Sequence, residues 1–218
     1  MLSQSIKAKQ FTAVIGFLVG CFALLFQLYL IIQNRTTGVT ETVIRYFSFF
    51  TILCNILTVI CFYSIIGNPQ PGATKFFVNP KTITAITVYM FIVGLIYNTM
   101  LRFLWSPQGY QQLVDELLHV VMPLLLFIYW LTFTEKNTLE WKNIFSWLIF
   151  PFIYCLYTLV RGEIVHFYPY PFMDVNAFGY GTVLINCSYV LIALLVVSTL
   201  FVAIAKVLTK ITMEKLTT

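Results

Sequence analysis

The sequence predicts an all-α integral membrane protein, a bundle of six transmembrane helices with both termini in the cytoplasm. Of its 218 residues 60% are hydrophobic and only 10% are charged, whereas soluble domains carry about 25% charged residues. The mean hydropathy is +0.87. The apolar residues are gathered into runs of about 20 residues, the length at which a helix crosses a bilayer. We expect a single transmembrane domain over 1–218.

Six apolar runs are long enough to span, and breakers such as GNPQPG (67–72) and SPQG (106–109) separate them. The predicted spans cover 11–33, 44–66, 82–105, 113–133, 143–161 and 183–206. The first run lacks a small-residue cleavage site, so we expect it to remain as a helix and not to be removed as a signal peptide.

The basic residues sort by type across these spans. Six spans place both termini on one side, and the lysines all fall on that side: Lys7, Lys9, Lys75, Lys81, Lys136, Lys142, Lys206, Lys210 and Lys215. The arginines fall on the other: Arg35, Arg45, Arg102 and Arg161. The excess of positive charge on the terminal side predicts cytoplasmic termini.

Several functional classes find no support. The net charge of +5 is not gathered into a patch, so no nucleic-acid partner is expected. The five cysteines lie inside apolar segments and imply no disulfide framework. A haem held by two histidines needs an intramembrane pair, and only His119 lies in a predicted span. Glu116-x-x-His119 matches half of a di-iron motif. We expect no cofactor, with a metal site left as a minor alternative and the oligomeric state open.

A line of polar residues marks the second predicted span. Ser48, Thr51, Asn55 and Thr58 fall within an arc of roughly 80° on a helix. Two interpretations are open. Hydroxyl side chains commonly pack one membrane helix against another, which fits Ser48 and Thr58. The same line can also form one wall of a polar cavity, where the Asn55 carboxamide would orient a catalytic group or an oxyanion.

When the depth of each residue in the membrane is estimated from its position along its helix, several polar groups fall into one layer on the outer side. Thr51 lies about 9 Å below Arg45, and His119 lies about 6 Å below Asp115. Other helices reach this layer at Tyr97, Asn98, Arg102, Arg161 and Asn186. Ionisable groups inside membranes usually face the bundle interior or a wet cavity. A polar pocket is therefore predicted, with His119 as its general base and Thr51 as the nearest nucleophile; a packing role for His119 is the alternative.

The segment between the last two spans, 161–181, is too long for a turn and rich in aromatic residues. Pro169 and Pro171 exclude regular helix there. Its two interpretations, which are compatible, are an aromatic belt at the membrane surface and a cap over the outer cavity.

Three short patches together carry a resemblance. They are Phe49-Phe50-Thr51, His119 followed by Pro123, and Tyr170-Pro171-Phe172. In order and approximate spacing they resemble the androgen-induced-protein family of membrane proteins, and more closely its small six-span bacterial members. The resemblance implies a threonine hydrolase of lipid esters, such as fatty acid esters of hydroxy fatty acids. It also implies membrane lipids as partners and the bacterial cytoplasmic membrane as the location.

The chemistry implied by the resemblance is acyl transfer. His119 would take the proton of Thr51 Oγ1, which attacks the ester carbonyl, and water would then release the fatty acid. Asp115 would hold the imidazole in the required tautomer, with Asn55 and Arg161 as candidates for oxyanion stabilisation. Two other classes stay open: a protein that binds or transports a small polar solute or lipid, and a scaffold whose polar line only packs helices.

Overall fold

The chain is helical along most of its length. The computed structural model describes residues 2–67, 72–104 and 106–217, with 84% helix and, in those ranges, no strand. Its α-helices are α1 Leu2–Gln33, α2 Val39–Phe47, α3 Phe50–Ile66, α4 Ala73–Phe77, α5 Pro80–Thr99, α6 Tyr110–Glu116, α7 Met122–Phe133, α8 Asn143–Val165 and α9 Val175–Thr217, which is interrupted at Gly179 (φ 72°, ψ 160°). A π turn, Leu117–Val121, joins α6 to α7, and 3-10 turns occupy Leu101–Phe103 and Pro171–Met173.

Five helical segments are long and apolar enough to cross a membrane, and a sixth is obtained if α2 and α3 count as one broken span. The prediction of an all-α chain with membrane-spanning helices is confirmed at that level. Residues 68–71 of the predicted breaker, and the side chain of Lys215, lie outside the described residues.

The second predicted span, 44–66, was wrong as a single helix. The helix breaks at Ser48 and Phe49, and the axes of α2 and α3 differ by 70°. Phe49 is extended (φ −81°, ψ 126°). Ser48 Oγ donates to the Ile44 carbonyl at 2.8 Å, which is the acceptor that a continuing helix uses for a backbone N–H. Side-chain bonds of this type compete with the helical ladder.

The predicted 161–181 segment is largely helical, so the boundaries 161 and 183 were wrong. Helix α8 continues to Val165 and ends where His166 adopts a left-handed conformation (φ 51°) and its N–H bonds the Gly162 carbonyl at 2.8 Å. Helix α9 begins at Val175 because Asp174 Oδ1 accepts from the N–H of Asn176 at 2.9 Å, a typical helix cap.

By its internal contacts the chain divides into two compact units, Met1–Thr138 and Leu139–Thr218, and the single domain over 1–218 stays a prediction. In the first unit α1 packs closely on α3. A Cβ added at Gly16 would lie 2.3 Å from the Phe62 ring, and one at Gly20 would lie 2.5 Å from Val59 Cγ2. The buried stripe of α1 is made of small residues: Ala13, Gly16, Gly20 and Ala23. Small residues let two membrane helices approach closely.

A lysine side chain caps the C-terminal end of α7. Lys136 Nζ donates to the carbonyls of Trp130, Leu131 and Thr134 at 2.9–3.0 Å and lies 4.9 Å from the centre of the Trp130 ring. Burial lowers the pKa of this ammonium. The ammonium thus supplies donors to carbonyls at the C-terminal end of the helix, where the Trp130 carbonyl also accepts from the N–H of Thr134 at 3.4 Å.

The second unit is an antiparallel pair, α8 and α9. Near the connection Tyr180 OH donates to Glu163 Oε2 at 2.7 Å. At the opposite end Lys206 Nζ lies 5.8 Å from the Trp141 ring centre. The two contacts join residues early in one helix to residues late in the other, which defines the antiparallel arrangement.

Candidate functional site

The site is centred on the π turn, which contains His119. Pro123 accounts for the turn: it has no N–H, and its ring excludes the carbonyl four residues earlier, that of His119. The turn is held from both sides. Asn55 Nδ2 of α3 donates to the Leu118 carbonyl at 3.2 Å, and a Cβ at Gly94 of α5 would lie 3.2 Å from the His119 carbonyl oxygen. π turns are frequent at functional sites.

The surroundings of His119 determine which ring nitrogen carries the proton. Its Nδ1 lies 2.9 Å from the Asp115 carbonyl oxygen and 3.3 Å from Asp115 Oδ1. A carbonyl and a carboxylate both accept hydrogen bonds, so Nδ1 is the protonated nitrogen of the neutral ring and Nε2 holds the lone pair. In the described ranges no hydrogen bond reaches Nε2. The lone pair of Nε2 is thus the one available to accept a proton.

Asp115 is in turn fixed by Tyr97. The Tyr97 hydroxyl donates to Asp115 Oδ2 at 2.5 Å, and its ring stacks on the His119 ring with centroids 4.0 Å apart. Asp115 is 8% exposed, so a carboxylate that is buried in this way depends on these donors. The depth count placed Tyr97 at this level, but the sequence did not indicate its bond to Asp115.

An ion pair borders the cluster. Arg102 Nη2 donates to both carboxylate oxygens of Glu116 at 2.6 and 2.7 Å, and the guanidinium lies 5.2 Å from the centre of the Tyr97 ring. Glu116, the acid of the Glu-x-x-His match, is therefore engaged by an arginine. Among the described residues, no group of three or more His, Cys, Asp or Glu side chains is arranged to hold a metal ion.

Helix α3 brings the other predicted residues to the π turn. Thr51, Asn55 and Thr58 are all buried on α3. Asn55 Nδ2 donates to the Thr51 carbonyl at 2.8 Å as well as to Leu118, which ties the turn that carries Thr51 to the residue before His119. Asn55 Oδ1 is buried and has no hydrogen-bond partner in the described part of the chain. Thr58 Oγ1 donates to the carbonyl of Cys54 in its own helix, as the packing interpretation expects.

The structure does not gather every predicted pocket residue. Ser48 lies in the break before α3, so it does not continue the line of Thr51 and Asn55 along one helix. Asn98 is exposed and bonds the Gly94 carbonyl of its own helix at 2.7 Å. The remaining two residues belong to the second unit.

In that unit Arg161 lies with its guanidinium 5.5 Å from the centre of the Phe167 ring. Asn186 Nδ2 donates to the Phe172 carbonyl at 2.9 Å. Their membership of the pocket stays a prediction, as does direct contact between Thr51 and His119.

Comparison of the chain with protein-family models, with curated proteins and with solved structures gives no match. The resemblance to the androgen-induced-protein family therefore stays a prediction that rests on the three patches.

Proposed function

We propose that the protein is an intramembrane threonine hydrolase that cleaves a lipid ester, with Thr51 as nucleophile and His119 as general base. The observation that carries the proposal is the state of the His119 ring. Its Nδ1 faces two acceptors of Asp115, so the lone pair is on Nε2, and Asn55 links the π turn to the helical turn of Thr51. A histidine oriented by a carboxylate supplies the base for nucleophilic acyl transfer, which also requires the Thr51 hydroxyl within hydrogen-bond reach of Nε2.

In the first step His119 Nε2 takes the proton of Thr51 Oγ1 while Oγ1 attacks the ester carbonyl. The imidazolium returns this proton to the departing alcohol oxygen, which leaves an acyl-threonine. In the second step His119 deprotonates a water that attacks the acyl group. The fatty acid is then released, and Thr51 recovers its proton. Asp115 stabilises the imidazolium in both steps and keeps the ring in one tautomer.

Oxyanion stabilisation is expected from the start of α3. Thr51 lies in the first turn of that helix, where the helix dipole favours negative charge. Asn55 is less suited to this task because its Nδ2 already donates to two carbonyls. Its role is to hold α3 against the π turn.

The setting we propose is a six-span bundle with both termini in the cytoplasm, in the cytoplasmic membrane of a bacterium. The substrate class, an ester such as a fatty acid ester of a hydroxy fatty acid, follows from the resemblance. Apolar helices around the site would admit acyl chains from the surrounding lipid.

Labelling of the purified protein with a fluorophosphonate probe tests the proposal. Wild type should be labelled, and Thr51→Ala and His119→Ala should not. Thr58→Ala is the matched control, because Thr58 is a buried threonine of the same helix that bonds only its own backbone. Loss of labelling confined to Thr51→Ala and His119→Ala would support the mechanism. Folded wild type that resists the probe, or a labelled Thr51→Ala, would refute it.

A second candidate is a protein that binds a small polar solute or a lipid headgroup. It is favoured by the buried Asn55 Oδ1, which has no partner among the described residues and could accept from a ligand hydroxyl or amine. A compound that copurifies with wild type and is lost from Asn55→Leu, together with absence of labelling, would select this candidate.

A further inference from the structure

The register of the helix pair α8 and α9 places two cysteines opposite each other. Glu163 of α8 meets Tyr180 of α9 through a hydrogen bond of 2.7 Å. Cys155 lies eight residues before Glu163, about 12 Å along α8, and Cys187 lies seven residues after Tyr180, about 11 Å along α9. Because the helices are antiparallel, nearly equal steps from one contact lead to residues at the same level of the pair.

The side chains agree with this register, since each of the thiols of Cys155 and Cys187 lies within interaction range of the other. Both are free thiols and both are half-buried. Cys187 lies on the side of α9 that also carries the buried residues Val183 and Leu194. Cys155 is near the midpoint of α8, so the pair lies far from either end of that helix.

We propose that Cys155 and Cys187 are a redox-active dithiol that closes to a disulfide between α8 and α9 on reaction with a lipid-soluble organic hydroperoxide. The helices around the pair are apolar, with an exposed surface that includes Phe152, Ile153 and Leu184. An oxidant that reaches the pair must therefore dissolve in lipid, which excludes strongly hydrated oxidants. The inference is independent of the proposed hydrolase.

The chemistry balances in two steps. The sulfur of one cysteine attacks the terminal oxygen of the hydroperoxide, the O–O bond breaks, and the alkoxide leaves with the thiol proton as an alcohol, so that a sulfenic acid forms. The second sulfur then attacks the sulfenic sulfur and displaces hydroxide, which takes the second thiol proton and leaves as water. The two thiols lose two electrons and the hydroperoxide gains them.

The test uses the full chain in membranes, treated with cumene hydroperoxide, then denatured and alkylated with N-ethylmaleimide. The reduced chain has five free cysteines and should take five maleimides, whereas the oxidised chain should take two fewer. Peptide mapping should find Cys155 joined to Cys187, and dithiothreitol should restore full alkylation. Mapping of wild type keeps the test valid even if a variant fails to fold.

Cys155→Ser and Cys187→Ser should each abolish the disulfide. Cys21→Ser is the matched control, because Cys21 is also a half-buried thiol in a long apolar helix, and it should leave the disulfide unchanged. Undiminished alkylation of wild type after treatment, a disulfide with another cysteine, or one between two chains would overturn the proposal. A disulfide formed with copper phenanthroline alone would show proximity and overturn the hydroperoxide chemistry.

Discussion

Of the two ring nitrogens of His119, Nδ1 is hydrogen-bonded to Asp115 and Nε2 is not hydrogen-bonded in the described part of the chain. Nδ1 faces two acceptors of Asp115, its backbone carbonyl and its carboxylate, and without them the proton could lie on Nε2, where no lone pair would then be available to a nucleophile. The Tyr97 hydroxyl supports the present state because it supplies the second oxygen of Asp115 with a donor. At this scale the chemistry depends on a chain of three side chains on α5, α6 and the π turn.

Asp115→Asn should lower the fluorophosphonate labelling rate by about 100-fold or more, since a neutral amide no longer stabilises the imidazolium, while the backbone carbonyl of residue 115 still accepts from Nδ1. Glu116→Gln is the charge-matched control. It removes a carboxylate one residue away that bonds Arg102 and leaves the Asp115–His119 contact in place. Equal rates for the two variants would show that the loss of any nearby carboxylate has this effect, contrary to a specific role of the Asp115–His119 contact.

At the scale of single elements, the π turn exists because of Pro123. In Pro123→Ala the new N–H can bond the His119 carbonyl, the turn can close to regular α-helix, and side chains before it rotate by about 100°. We expect labelling to be lost while the melting temperature in detergent stays the same or rises. Pro151→Ala is the control, because Pro151 is also a buried proline within a helix. Labelling retained in Pro123→Ala would mean that the turn does not position His119.

The close contact of α1 with α3 depends on glycines of α1, which have no side chain to separate the two helices. Gly16→Leu should lower the melting temperature, because Phe62 is fully buried and cannot move away; overpacking typically costs about 1–3 kcal/mol. Gly38→Leu is the control, because a Cβ at Gly38 would meet nothing within 4 Å. Equal melting temperatures for the two variants would contradict the close packing.

The sequence predicts the helices better than it predicts the contacts of the candidate site. Long apolar runs predict helices directly, and the i, i+4 spacing of Asp115 and His119 becomes a contact. The break at Ser48 and Phe49 was missed because no Gly or Pro marks it, and the bond of Ser48 to a carbonyl of its own helix is of a type that leaves α3 continuous at Thr58. Tyr97 was placed at the right depth, yet its contact with Asp115 depends on how two distant segments pack. Asn98, its neighbour, has the same depth and faces away.

For the whole molecule, the distribution of lysine and arginine predicts the orientation. A green fluorescent protein fused after Thr218 should be fluorescent, because it folds in the cytoplasm, and alkaline phosphatase inserted within 106–109 should be active outside. The reverse pattern of reporter activity would show that the orientation is the opposite of the predicted one. A fluorescent fusion at both places would show that the number of crossings between them is even, against the six-span topology.

The break before α3 also has a consequence for the lipid. Helix α3 has 17 residues and is about 26 Å long, which is shorter than the about 30 Å core of a typical bilayer. Because α2 leaves at 70°, it adds little to this length. A helix that is too short thins the adjacent membrane at a modest free-energy cost per ångström. Thr51, in the first turn of α3, would then lie where the bilayer is locally thinned, closer to lipid headgroups and water. The thickness of the membrane would thus determine how readily headgroups and water reach Thr51.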